Sequence, residues 1–195
     1  MELKPEAGNN KAVRDIEMKV GAASTTTGLT WAYPDGPRTT HYRIPICKLT
    51  VAGTTDNGSA SSTEFDVCRF GVKQEGSGPP RSVGLADQQT HVIEMWLPQY
   101  TVHSAPSAEN GAWKVYDHFL VHDGPDDPQD ATSVYATVGC VELCGPAKFD
   151  AMNDLIISLS GITTGTRAEK LNAIGTSGKL KITYAAATRP PITPA

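Results

Sequence analysis

The sequence predicts a mainly β domain of the α+β class, a mixed β-sandwich or barrel-like sheet with one main helix. Three observations carry that expectation. Runs rich in β-branched and aromatic residues recur along the first two thirds of the chain, among them His41 to Val51 and Ala112 to Asp123. Clusters of turn formers part them, as at Ser24 to Gly28, Pro34 to Pro37 and Gly53 to Gly58. Strong helical periodicity occurs only after Cys144, where Phe149, Met152, Leu155, Ile156 and Leu159 share one face.

Residues 1–14 are polar, carry Pro5 and the Gly8-Asn9-Asn10 turn signal, and are expected to be flexible. Strand-like runs follow at Ile16 to Val20, Leu29 to Ala32 and His41 to Val51. In the last of these Tyr42, Ile44 and Ile46 share one parity, while Cys47, Leu49 and Val51 share the other. Pro45 lies where the parity changes and, having no N–H to donate, predicts an edge strand or a bulge. Phe65 to Val72 reads as another strand, ahead of a Gly/Pro-rich loop from Glu75 to Arg81. His91 to His103 and Ala112 to Asp123 read as a broad hairpin or sheet core around a polar connection.

The main helix is expected to start with Gly145 in the cap region and Pro146 in the first turn, where a missing N–H costs nothing. Asp150, Asn153 and Ser158 lie off its apolar face, and Gly161 can close it. A second short helix is expected over Arg167 to Ala173, a final strand over Lys179 to Ala186, and a Pro-rich tail over 189–195. One folded domain, 15–188, is the expectation for a chain of 195 residues.

Net charge is −4, and the 17 basic residues are scattered, which argues against nucleic acid and against an anionic membrane surface. No apolar run approaches a membrane span, so no membrane insertion is expected. Glu2, Lys4, Glu6, Lys11, Arg14, Asp15 and Glu17 interrupt any apolar leader. Synthesis in the cytoplasm is therefore expected, with Cys47, Cys68, Cys140 and Cys144 reduced there.

The chemistry concentrates between Asp117 and Leu159. His118-x3-His122 with Cys140-x3-Cys144 has the look of a zinc site, but His118 and His122 lie in a strand-like run, where residues four apart stand roughly 13 Å from each other. No metal is predicted. Asp123, Asp126, Asp127 and Asp130 miss the spacing of a calcium loop and read as a solvated acidic turn. No phosphate-binding loop occurs, and no cofactor is predicted. Cys47 and Cys68 read as core residues, Cys144 as a packed residue at the helix start or the disulfide partner of Cys140, and Trp31, Trp96 and Trp113 as core aromatics.

Cys140 has two readings. One is a buried core cysteine. The other is a nucleophile, with Gly139 allowing a turn that aims the amides of Val138, Gly139 and Cys140 into one pocket, and with His122 as the base.

His122, fourteen intervening residues, then Thr137-Val138-Gly139-Cys140 has the form His-x14-[Ser/Thr]-x-Gly-Cys. With an apolar strand before the histidine and an amphipathic helix after the cysteine, this resembles the signature of the L,D-transpeptidases with the YkuD catalytic domain. The resemblance covers about 45 residues. It implies a YkuD-like fold and a cysteine enzyme acting on peptidoglycan stem peptides, at the L–D bond before the terminal D-alanine. Cys140 would attack, His122 would take the thiol proton, and amides near Gly139 and Cys140, held by Thr137 and Val138, would bind the oxyanion. Water, a D-amino acid or another stem's amine would resolve the thioester, giving a hydrolase or a transferase.

Three positions depart from the signature. Asp123 stands between His122 and Gly124 and is a candidate to orient the imidazole. Glu142 replaces a usual Arg or Asn, and with Gly124 is a candidate for substrate contact. Val138 replaces a frequent His. Peptidoglycan lies outside the cytoplasm, so the expected site of action is the periplasm or cell wall. Secretion as a type VI effector toxin into a rival cell, with an immunity protein in the producer, reconciles that site with cytoplasmic synthesis. A binding module that keeps the fold and has lost the chemistry is the alternative.

Overall fold

The computed structural model describes residues 12–22, 26–101, 110–132 and 136–195. It is mainly β, and β3 (His41–Thr54) is its hub. The first half of β3 pairs antiparallel with β2 (Thr26–Pro34), and the second half lies between β1 (Ile16–Val20) and β4 (Ala60–Cys68). The parity switch in its sequence is what this position requires. Tyr42, Ile44 and Ile46 enter one apolar cluster, with Ala32, Cys68, Val72 and Cys144, while Cys47, Leu49 and Val51 enter the larger core on the other face. β3 is thus central, and the edge expected from Pro45 is only local. On the side away from β2, pairing with the chain end stops at Arg43 and pairing with β4 starts at Ile46, so Pro45 falls in the gap.

The run from Phe65 to Val72 divides into β4 and β5 (Gly71–Gln74), broken at Arg69-Phe70. β5 runs parallel to the end of β2 and carries the short β6 (Arg81–Val83) on its far side. β7 (Gln89–Val92) joins β12 (Leu180–Tyr184), which lies parallel to β1. β8 (Met95–Leu97) and β9 (Ala112–Tyr116) form the expected broad hairpin. A turn at Asp117-His118 then separates β9 from β10 (Phe119–Asp123), where a single strand had been expected. Beyond β10 the sheet continues into β11 (Val141–Leu143), which pairs parallel with β10 and antiparallel with the end of β4. The Pro-rich end is not a simple tail: β13 (Thr193–Pro194) adds to β3 opposite Tyr42 and Arg43.

The main helix, α1 (Lys148–Ser160), begins two residues later than expected, because Ala147 adopts a left-handed conformation (φ 56°) and leaves Pro146 outside the first turn. Gly161 closes it at φ 78°. Phe149, Met152, Ile156 and Leu159 pack on the larger core as their spacing predicts. Asn153 is buried rather than off the apolar face, since its Oδ1 accepts the indole N–H of Trp113 at 2.8 Å. The second helix, α2 (Arg167–Thr176), opens with a Thr166–Glu169 capping box. No described helix is long and apolar enough to cross a membrane.

A buried arginine ties the ends of this sheet together. Arg69, at the break between β4 and β5, donates to Leu85 O at 3.0 and 2.7 Å, Gly21 O at 2.9 Å and Ala185 O at 2.6 Å. Its guanidinium also lies over the rings of Phe70 and Tyr184. Three carbonyls share one planar cation, a geometry that a lysine cannot reproduce. Arg69→Met orphans these acceptors, and the expected loss is about 3 kcal/mol or more at ~1 kcal/mol per acceptor. Urea unfolding of the two proteins measures it.

Candidate active site

β10 and β11 lie side by side, parallel and in register, with Val121 opposite Val141 and His122 opposite Glu142. Side chains of facing residues share a side of the sheet, and parity repeats every second residue. Val121, Val141 and Leu143 therefore point into the larger core. His122, Glu142 and Cys140 share the opposite side. From strand spacing and rise, His122 and Cys140 are diagonal neighbours roughly 8 Å apart at Cα.

The turn before β11 is built as its sequence suggests. Gly139 has φ 106°, and a Cβ there would lie 2.7 Å from Gly84 Cα. Both facts demand glycine. Thr137 Oγ1 accepts the Gly139 N–H at 3.3 Å and donates to Cys140 O at 3.4 Å, so the hydroxyl braces the turn from inside. This corrects one expectation: the Gly139 amide points at Thr137 and does not open into a pocket beside its neighbours. The loop rests on β5, where a Cβ on Gly71 would lie 1.8 Å from Thr137 O. Val138 is exposed at the rim. Gly124 is set by packing, since a Cβ on it would meet Leu143 O at 2.5 Å.

His122 is 4% exposed, and its Nδ1 lies 2.6 Å from the backbone oxygen of Asp123. A carbonyl only accepts, so Nδ1 carries the hydrogen of that bond. The orienting group is thus the main chain of Asp123. Nε2 faces Glu142 Oε1 at 3.9 Å. Burial pushes the Glu142 carboxyl up to about 8, against the Thr137 hydroxyl, which lowers it, and with the Asp123 carboxylate, which adds to the rise. Glu142 is 3% exposed. Its position is beside His122 and beneath the surface, where the substrate contact expected of it gives way to the neighbouring imidazole.

The Cys140 sulfur sits at the β9–β10 turn. Its S–H donates to His118 O at 3.8 Å. Burial pushes the thiol up to about 12, the Leu120 amide acts in the lowering direction, and the Glu142 carboxylate adds to the rise. The resting sulfur is therefore a neutral thiol. Among the described residues no hydrogen bond joins it to His122.

Tyr100, in the turn after β8, carries no local signal that would have singled it out. Its ring centroid lies 5.2 Å from that of His122, and burial, with the Cys140 and Glu142 charges behind it, raises the phenol to about 12. Cys144 also departs from expectation. Its sulfur lies 3.6 Å from Cys68 Sγ, across the β4–β11 ladder and away from Cys140. Cys47 and Cys68 are buried, as are the three tryptophans. His118 is 95% exposed in its turn while His122 is buried, so the two imidazoles do not converge. Among the described residues no group of three or more His, Cys, Asp or Glu side chains is arranged to hold a metal ion. Asp127 and Asp130 accept the amides of Gln129 and Thr132, local caps of an exposed turn. No family model matches the chain, and neither a curated protein nor a solved structure is similar to it.

Gly139→Ala forces a strained φ and a backbone clash together, so a stability loss of about 2 kcal/mol or more is expected, read from its thermal melt. Glu142 yields a pH prediction. Its folded value, about 8, lies above the ordinary 4.5, so the neutral form favours folding. That stability is complete below pH 4.5 and is lost as pH rises through about 8. The expected loss is a few kcal/mol. Urea midpoints across this range are expected to fall for the wild type and to stay flatter for Glu142→Gln.

Proposed function

We propose that the protein is a cysteine-dependent peptidoglycan enzyme with a YkuD-like catalytic domain, acting on the L–D peptide bond before the terminal D-alanine of a stem peptide. The observation that carries this reading is the parallel β10–β11 pair. It sets Cys140 and His122 on one face, with the imidazole held through Nδ1 by a main-chain carbonyl. The His-x14-Thr-x-Gly-Cys signature supplies the chemistry.

In this mechanism Cys140 leaves His118 O by rotation about χ1, a change between staggered wells, and its proton passes to His122 Nε2. The sulfur adds to the carbonyl carbon between the L-centre of diaminopimelate and D-alanine. The amides of Val138 and Cys140 hold the oxyanion while Thr137 keeps the turn closed. Collapse breaks the C–N bond, the imidazolium protonates the leaving amine, and a thioester remains. Water returns a carboxylate, a D-amino acid gives exchange, and a second stem's amine gives a cross-link. The target lies in the periplasm or cell wall. Delivery by a type VI apparatus, with an immunity protein protecting the producer, is one route to that target.

One observation favours a second reading. A thiol held near 12 and bonded to His118 O is inert at neutral pH, as in a peptidoglycan- or protein-binding module that keeps the fold alone.

Mass analysis of disaccharide-tetrapeptide incubated with the protein separates the two. Loss of D-alanine, or its exchange for another D-amino acid, is expected, with Cys140→Ala inactive and His122→Gln reduced about 10²- to 10⁴-fold. An unchanged mass with wild type and Cys140→Ala alike selects the binding module.

A further inference from the structure

Cys68 and Cys144 take no part in the mechanism above. Their sulfurs lie 3.6 Å apart, in van der Waals contact, although 76 positions separate them along the chain. Strand pairing brings them together. Cys68, at the end of β4, stands opposite Glu142, and Cys144, just past β11, donates its N–H to Asp66 O at 2.8 Å, so the two thiols meet diagonally across the ladder. Both enter the smaller apolar cluster, where Cys68 is 1% and Cys144 6% exposed.

The other two cysteines do not compete for this contact. Cys47 points into the larger core on the opposite face of the sheet. Cys140 precedes Cys144 by four residues, roughly 13 Å in an extended chain, and its sulfur is bonded to His118 O. Access also distinguishes the members of the pair. Cys144 lines a cavity of ≈ 390 Å³ together with Lys48, Phe65, Asp66, Lys148 and Leu155. It is the thiol that a reagent from solvent meets first.

We propose that Cys68 and Cys144 form a disulfide site: an oxidant of the disulfide class enters at Cys144, and Cys68 completes the bond, tying β4 to the segment that follows Cys140 and Glu142.

The exchange runs in two steps. The Cys144 thiol gives its proton to solvent, and its sulfur attacks one sulfur of the oxidant. The oxidant's S–S bond breaks, and the departing half takes up a proton as a thiol. Cys68 then loses its proton, attacks Cys144 Sγ and displaces the remaining half as a second thiol. The pair is oxidised by two electrons and the oxidant is reduced by two. The hydrogen bond with Cys144, and burial after it, raise the Cys68 thiol, which suits it to the second, intramolecular step. Closure takes the sulfurs from 3.6 Å to the roughly 2 Å of an S–S bond. Rotation about χ1 at both residues, with a slight shift of the strand end, covers that difference.

A bond across so long a loop removes much of the unfolded chain's freedom. It also fastens β11, only three residues long, to the strand beside it. The pair stays open in a reducing cytoplasm and closes in an oxidising compartment. That consequence of location rests on the functional reading above, whereas the bond itself rests on the cysteine pair.

The test incubates reduced protein with glutathione disulfide, alkylates the remaining thiols after denaturation, and maps the product by peptide mass. One bond, Cys68–Cys144, is expected, with Cys47 and Cys140 alkylated. The oxidised protein is expected to melt about 5 to 10 °C above the reduced one. Cys68→Ala is expected to hold glutathione on Cys144 as a mixed disulfide, and Cys144→Ala to form no bond at Cys68. Four alkylated cysteines in the treated wild type overturn the proposal, as does a bond that maps to Cys47 or Cys140, or an oxidised melt no higher than the reduced. If either alanine variant does not fold, the wild-type map and melt decide alone. A Cys68–Cys144 bond in protein that releases no D-alanine supports the disulfide site and overturns only the functional reading.

Discussion

The register between β10 and β11 governs the rest of the site. Two parallel strands aligned at Val121–Val141 separate their side chains cleanly, with one set in the larger core and the other facing the turn that carries Cys140. A slip of one residue in β11 would carry Glu142 into the core and Val141 and Leu143 out of it, which the cost of burying an ionisable group opposes. Core packing therefore fixes the site's geometry without any residue of the site having to do so. The glycines on either side serve the same end. Gly124 lets the end of β10 close on β11, and Gly139 turns the chain against Gly84 just before the cysteine.

The protein buries several polar side chains, and their partners sort them. Arg69 meets carbonyl oxygens from three distant segments and acts as a fixed joint of the fold. Asn153 has one well-aligned partner in the indole of Trp113, which locks α1 to β9. Glu142 is different. Its neighbours are the Thr137 hydroxyl, the His122 imidazole at 3.9 Å and the charge of Asp123, and burial pushes its carboxyl up to about 8. Arg69 and Asn153 join segments through hydrogen bonds, whereas Glu142 is a titratable group whose neutral form burial favours.

The resting cysteine is held in its least reactive form. Burial and the carbonyl of His118 both favour S–H, and the adjacent carboxyl opposes ionisation further. Under the proposed function, a thiol so placed needs a rotation toward His122 before it can act as a nucleophile.

Much of the fold was legible in the residues themselves, because alternation, turn chemistry and helical spacing are local properties. The alternation of His41 to Val51 announced a strand there, though its sharing between two cores was not foreseen, Phe149 to Leu159 announced the face of α1, and Gly161 its end. Local signals failed where a distant partner decided the outcome. Pro45 sits in a central strand because two neighbours on one side leave a gap around it. Asn153 is buried because Trp113 offers an N–H, and β11, only three residues long, exists because β10 and β4 lie on either side to pair with it. The same division runs through the site. The sequence alone singled out Cys140, His122, Thr137 and Gly139, since a glycine turn ahead of a cysteine and a histidine ending a strand are written in order along the chain. Tertiary structure alone decided that the Asp123 main chain orients His122, that Tyr100 stands beside it, that Cys144 meets Cys68, and that Glu142 faces the imidazole. Those relations depend on strand register and burial, and both arise only when segments far apart in sequence are packed together.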